Sequence, residues 1–251
     1  MSLTVLITGA TAGFGRTTAE RLIADGHRVI ATGRRTERLE ALRDQLGPRL
    51  LGVTLDVSDG PAVAALPGSL PADWREVDVL VANAGLALGM EPAWNCDIGN
   101  WERMVSTNVG GVIGTTRALL PGMVARNRGH VITLGSTAGS YPYPGGNVYG
   151  ATKAFVAQFA LNLKADLVGT AVRVTNIEPG LVGGSEFSSV RFGDADKAAA
   201  MYRNADPLLP EDIAETIAWV IGLPPRVNIN RIEMMPTTQA PGPLTVKRRE
   251  G

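Results

Sequence analysis

Strand-like apolar runs alternate with helix-like periodic segments along nearly the whole chain, and that order restricts the fold more than any other feature. Residues 3–8 read as a strand, followed by a helix over about 13–25. A strand at 28–32 leads to a charged helix near 37–46, and a strand at 50–55 to a short helical piece near 62–66. Residues 77–82 form a fourth strand, and a Gly/Pro/Asn-rich loop joins them to a long helix over 100–126. A strand at 130–134, a second Gly/Pro-rich loop and a helix over 148–167 follow, then a strand at 172–177. Residues 183–206 are irregular or helical, 211–221 helical, and 228–234 a seventh strand.

The strands are rich in Val, Ile and Leu with little polar alternation, as expected when helices cover both faces. Repeated βα units of this kind predict an α/β, Rossmann-type doubly wound parallel sheet of about seven strands. Right-handed crossovers gather the βα loops at the carboxyl edge of the sheet, where ligands bind. Undivided α/β sheets reach 251 residues, and no repeat or low-complexity linker marks a second domain. Residues 1–251 therefore read as one domain, with 181–206 as a lid over the ligand edge and 237–251 as a proline-containing, basic tail.

Twenty-four basic and 24 acidic residues balance, which leaves no polyelectrolyte signature for nucleic acid or an anionic membrane surface. The apolar start runs straight into a glycine turn without a basic leader or a cleavage signal, and no stretch is long enough to span a bilayer. The lone Cys96 cannot make an internal disulfide. A cytoplasmic protein acting on a small molecule is the expectation.

A pyrophosphate needs close backbone N–H groups and a helix N-terminus aimed at it, and side chains in the turn would block that approach. Gly9, Thr11, Gly13, Phe14 and Gly15 stand between the first strand and the first helix, where such a cradle belongs. NAD-binding folds place an acidic residue about twenty positions further on, to receive the ribose 2′-hydroxyl. Here the second strand ends in Gly33-Arg34-Arg35. A 2′-phosphate is attracted by guanidinium and repelled by carboxylate, so NADP is the expected cofactor. Asp56 and Val57 end the third strand; Asp56 reads either as a partner of the adenine amino group or as a helix cap.

Tyr149 and Lys153 are one helical turn apart, so their side chains leave the same face. A free phenol titrates near 10, too high for an efficient base at neutrality, and an adjacent ammonium is expected to lower it. Ser136 lies thirteen residues earlier at the end of a strand, placed to hold a substrate oxygen near the phenol. The proton on that oxygen then falls to Tyr149 while a nicotinamide exchanges the hydride.

Taken in order, the glycine turn, Asn83-Ala84-Gly85, Asn108, Ser136, Tyr149-x3-Lys153 and Pro179-Gly180 resemble a short-chain dehydrogenase/reductase of the single-domain type. The resemblance implies that Asn108 supports a proton-relay water beside Lys153, and that Lys153 holds the nicotinamide ribose. It further implies that Asn83, Ala84 and Gly85 brace the cofactor site, and that Pro179, Gly180 and Val182 border the nicotinamide. Longer stretches, among them Gly33-Arg34-Arg35, Asn83 to Gly89 and Gly145 to Phe155, are similar to one branch, the NADP-dependent 3-hydroxy acid dehydrogenases, also described as serine or L-allo-threonine dehydrogenases. That branch implies small 3-hydroxy acids, or the matching semialdehydes, as substrates. Family members pair the two long helices into a homotetramer, which is expected here; Phe155, Phe159 and Leu163 supply a stripe at helical spacing on one of them.

A carboxylic substrate needs a cation about one molecule's length from Tyr149. Arg191, between Val190 and Phe192, is the first choice over Lys197 and Arg203, with an exposed lid arginine as the equal alternative. Leu88, Met90, Tyr143 and Phe187 are candidates for the remaining wall. Three rivals stand beside this reading: an extended epimerase or dehydratase, for which too little chain remains; a reductase of another small carbonyl such as sulfoacetaldehyde; and a non-catalytic NADP-sensing regulator.

Overall fold

Along β1 (Thr4–Thr8) Val5 and Ile7 meet one apolar cluster and Leu6 another, and all three are fully buried. A strand that buries both faces belongs in the middle of a helix-covered sheet. The computed structural model describes residues 2–242 and Val246. Among these residues β1 is the third strand of a seven-stranded sheet ordered β3-β2-β1-β4-β5-β6-β7, with every neighbouring pair parallel. The other strands are β2 (Arg28–Gly33), β3 (Leu50–Thr54), β4 (Val79–Ala82), β5 (Gly129–Leu134), β6 (Val172–Pro179) and β7 (Arg231–Met234). The edge strands β3 and β7 carry the half-exposed patterns that a one-sided neighbour leaves them.

One face is covered by α1 (Gly13–Ala24), α2 (Thr36–Leu46) and α9 (Pro210–Gly222), which contribute Leu22, Leu39, Ile213 and Ile217 to the core. The other is covered by α3 (Gly60–Ser69), α5 (Gly111–Ala125) and α6 (Asn147–Asp166), through Val63, Leu66, Val112, Leu119 and Val156. Strand order reverses between β1 and β4, so the crevice for a ligand opens above their carboxyl ends.

The expected long helix over 100–126 is divided. It consists of α4 (Ile98–Val105), a π-helical turn over Ser106–Gly110, and α5. The extra residue of a π turn re-aims a side chain relative to its helix, and the turn holds Asn108. The expected lid contains α7 (Phe187–Phe192) and α8 (Ala195–Tyr202). Of the expected tail, residues 243–245 and 247–251 lie outside the described residues, and the basic cluster falls among them.

Candidate active site

The turn after β1 has the backbone that the phosphate argument requires. Gly9 adopts φ +69° and Gly13 φ +50°, a left-handed region costly for other residues. Gly15 is excluded from change by proximity: a Cβ there would stand 2.4 Å from the Gly9 carbonyl oxygen and 2.6 Å from Asn83 Nδ2. It lies behind the cleft as a helix–strand spacer, whereas Gly9, Thr11, Gly13 and Phe14 line it. Asn83 fixes the turn from β4, its Nδ2 donating to the carbonyl oxygens of Thr8 (2.8 Å) and Gly9 (3.2 Å). The Ala84 amide donates to Thr8 Oγ1 at 2.9 Å.

The same cleft, about 350 Å³, is lined further out by Arg34, Arg35, Asp56 and Val57, and at its inner end by Ala84, Gly85, Tyr149 and Lys153. Its walls fit a dinucleotide: backbone at the glycine turn, cations at the end of β2, and the Tyr149–Lys153 pair at the far end. Asp56 is neither a helix cap nor free. Its Oδ1 accepts from the Ser58 amide and hydroxyl, and its Oδ2 lies 3.8 Å from Arg34 Nη1. Burial works against its ionisation, but the Ser58 hydrogen bonds and Arg34 outweigh that and hold its pKa below the usual range. Asp59 caps α3 instead.

Tyr149 separates this cleft from a second chamber of about 130 Å³, lined by Ser136, Tyr143, Arg191, Tyr202 and Gln239. Pro179, Gly180 and Val182 line this chamber rather than the larger cleft. Ser136 caps the short turn after β5, its Oγ accepting from the Ala138 amide at 3.1 Å. An apolar collar that includes Ala87, Met104, Leu88 and Phe187 surrounds Tyr149, with the Phe187 ring 5.8 Å from it.

The collar reverses one expectation. Burial pushes the Tyr149 phenol up to about 12; a hydrogen bond with Ser136 draws it back, Tyr143 adds to the rise, and the Arg191 guanidinium opposes it. Lys153 is itself buried, which lowers it to about 8, and its Nζ donates to the Leu134 carbonyl oxygen at 2.7 Å. That ammonium stands 5.8 Å from the Tyr149 ring centroid, so the pair shares the helix face the spacing predicted. In the chain by itself, desolvation of the phenol outweighs the cations around it.

Asn108 lines neither cavity. Its Oδ1 accepts from the Leu86 amide (2.9 Å), while Nδ2 donates to the Leu86 carbonyl (2.8 Å) and to Thr152 Oγ1 (3.1 Å). Thr152 Oγ1 in turn donates to the Tyr149 carbonyl at 2.7 Å. The Asn108 amide thus ties the loop after β4 to the first turns of α6, on which Tyr149 and Lys153 stand. Thr152 lies inside the Tyr-x3-Lys interval, but nothing in the linear sequence marks it as the link to Asn108.

Of the three lid cations, Arg191 alone lines the chamber. It is 8% exposed, and its guanidinium lies 5.3 and 5.4 Å from the Tyr143 and Tyr149 ring centroids. Nε donates to the Gly89 carbonyl at 3.3 Å, and the Arg191 carbonyl accepts from the Gly89 amide at 3.0 Å. Nη2 is buried and finds no hydrogen-bond partner among the described residues. A buried guanidinium N–H without an acceptor is costly unless a ligand supplies one. Met90, Tyr143 and Phe187 complete the chamber wall as expected, and Leu88 belongs to the larger cleft. Gln239 was not foreseen: its Oε1 accepts from the Leu181 amide at 2.8 Å and pins the root of the lid.

Comparison with known proteins identifies the family. The sequence profile of the family described as short chain dehydrogenase matches residues 3–193. An NADP-dependent 3-hydroxy acid dehydrogenase (YdfG) of Salmonella typhi is 62% identical over 245 residues, covering 97% of this chain and 99% of that protein. A serine 3-dehydrogenase of Rhizobium radiobacter is 49% identical over 241 residues, covering 96% of each. The closed form of a serine dehydrogenase complexed with NADP+ superposes with a TM-score of 0.95 at 59% identity, over 98% of this chain and all of that one. With the glycine cradle, the Ser136–Tyr149–Lys153 arrangement and these matches together, the chain belongs to the short chain dehydrogenase family.

Proposed function

We propose that this chain is an oxidoreductase that moves a hydride between NADP(H) and a small 3-hydroxy acid, or reduces the matching semialdehyde. The observation that carries the substrate class is Arg191: a buried guanidinium with an unpartnered Nη2, in the chamber that also holds Ser136 and Tyr149. A carboxylate is the acceptor that fits it. At about 130 Å³ the chamber is well below the ~300–1,000 Å³ of drug-sized sites, which suits a molecule of a few carbons. Relatives named for NADP-dependent 3-hydroxy acid and serine dehydrogenation support the same reading.

Gly9, Thr11, Gly13 and Phe14 would cradle the NADP pyrophosphate, Arg34 and Arg35 its 2′-phosphate, and Asp56 and Val57 the adenine side of the cleft. Asn83, Ala84 and Gly85 brace that cradle, while Pro179, Gly180 and Val182 face the substrate chamber on the far side of Tyr149. When bound, NADP(H) supplies or accepts the hydride. Arg191 orients the substrate by its carboxylate, and Ser136 Oγ holds the reacting oxygen against the Tyr149 hydroxyl. In reduction the neutral phenol gives its proton to that oxygen; in oxidation the phenolate removes it. Lys153 returns the proton balance of Tyr149, and Asn108 positions both through Thr152. Residues 181–206 act as the lid that excludes water from this exchange.

Serine, allo-threonine, 3-hydroxyisobutyrate and 3-hydroxypropionate are the substrates expected, each offering Arg191 a carboxylate. We further read it as a cytoplasmic homotetramer. Partly exposed Ile113 and Val124 on α5 and Phe155 and Leu161 on α6 support the assembly, and the free Cys96 thiol supports a reducing compartment. Steady-state rates on a panel of 3-hydroxy acids, semialdehydes and sulfoacetaldehyde, each with NADP(H) and NAD(H), test the reading. A preference for NAD(H), or for substrates without an acid group, would defeat it.

A further inference from the structure

Glu186 immediately precedes α7 and reaches across to the cofactor side of the cleft. Its Oε2 accepts from Arg35 Nη1 at 3.0 Å and its Oε1 from Arg38 Nη1 at 2.9 Å. The two guanidiniums outweigh its slight burial and hold its carboxyl below the usual range. Arg35 is braced from behind by Thr11, whose Oγ1 accepts from Nε (3.4 Å) and Nη2 (3.0 Å). Thr11 belongs to the glycine turn and Arg35 to the pair that faces the 2′-phosphate. On the other side, the six residues of α7 carry Phe187, against Tyr149, and Arg191, in the substrate chamber. One short helix therefore connects the cofactor-selecting arginines to the substrate's cation.

The geometry points to Glu186 as a clasp that fastens the lid to Arg35 and Arg38, so that Arg35, one of the two arginines selecting the cofactor, also sets where Phe187 and Arg191 stand over the substrate. This rests on the reading of Arg35 and Arg191 given under Proposed function. Glu186 is a positioning residue: it touches neither the reacting atoms nor the chamber. Arg34, Arg35 and Arg38 carry three positive charges against two negative ones on Asp56 and Glu186, which leaves one. The cluster thus still attracts a 2′-phosphate, close to −2 at neutral pH, while the clasp is shut. The three partners are about 40–50% exposed, so the effect is modest.

The test uses Glu186→Gln, Arg38→Gln and the double variant, each saturated with NADPH. Tryptic cleavage after Lys197 and Arg203 reports lid opening without any substrate. Glu186→Gln is expected to be cut roughly three- to tenfold faster than the parent chain and Arg38→Gln roughly two- to fivefold faster, with KM for the semialdehyde raised by similar factors and kcat within about twofold. The double variant should be no worse than Glu186→Gln, since that change already removes the Arg38 contact along with the Arg35 one. Unchanged cleavage in Glu186→Gln, losses that multiply in the double variant, or a fall in kcat at constant KM would overturn the clasp. Faster cleavage in a chain that turns over no 3-hydroxy acid would support the clasp while overturning the substrate reading, so the two failures are separable.

Discussion

Arg191→Met is the sharpest perturbation of the substrate site. Methionine keeps an unbranched apolar stem beside Tyr143 and Tyr149 and leaves the main-chain bond from the Gly89 amide to the residue 191 carbonyl intact. What it removes is the charge, the Nε bond to Gly89 and the unpartnered Nη2. A hydrogen bond to a charged group contributes roughly 1.5–3 kcal/mol. At about 1.4 kcal/mol per decade, that is a roughly ten- to hundredfold loss of kcat/KM for the acid. The assay follows NADPH consumption with 3-oxopropanoate and with propanal, which has the same chain length and no carboxylate. The acid should lose its advantage while propanal changes by less than about threefold. An equal loss on both compounds would make Arg191 a packing residue, and no loss on the acid would remove it from the site.

Two further outcomes follow from the titrating groups and the cations. With Tyr149 pushed up to about 12, the phenolate needed for oxidation is scarce at neutrality, so the oxidation rate should climb with pH, about tenfold per unit on its acid limb. Reduction uses the neutral phenol and should be level over pH 6–7.5, then decline above about 8 as Lys153 loses its proton; pH profiles in both directions check this, and a rising reduction profile would contradict it. Replacing Arg34 and Arg35 together by Gln should lower the ratio of kcat/KM for NADPH over NADH by roughly ten- to hundredfold, and an unchanged ratio would place 2′-phosphate recognition elsewhere. Gly33 is best left alone in that experiment, since a Cβ there would stand 2.7 Å from Thr11 Cγ2.

The alternation of apolar runs and periodic segments was enough to place all seven strands: the five inner ones bury both faces and leave a nearly unbroken apolar signature, while the half-exposed edge strands β3 and β7 were placed by their position in the βα order. The glycine turn and the Tyr149–Lys153 pair were legible for a related reason: backbone approach and one-turn spacing are local requirements. The division of the long helix was not, since a π turn depends on how the Asn108 amide meets Leu86 and Thr152 across the fold. Nor could the spacing reveal the sign of the Tyr149 shift, which the collar from α4, α6 and the lid decides. Arg191 could be ranked above Lys197 by its apolar neighbours, yet its Gly89 and tyrosine contacts needed the folded chain. Glu186 and Gln239 gave no linear signal; their partners lie 151 and 58 residues away.

Tyr149→Phe probes the core of the account, because it deletes one oxygen and leaves the apolar collar filled. NADPH binding, followed by nicotinamide fluorescence, should stay within a few-fold of the parent chain, while turnover of a 3-hydroxy acid or its semialdehyde falls at least a hundredfold. Turnover near the parent value with the cofactor still bound would show that the proton travels by another group.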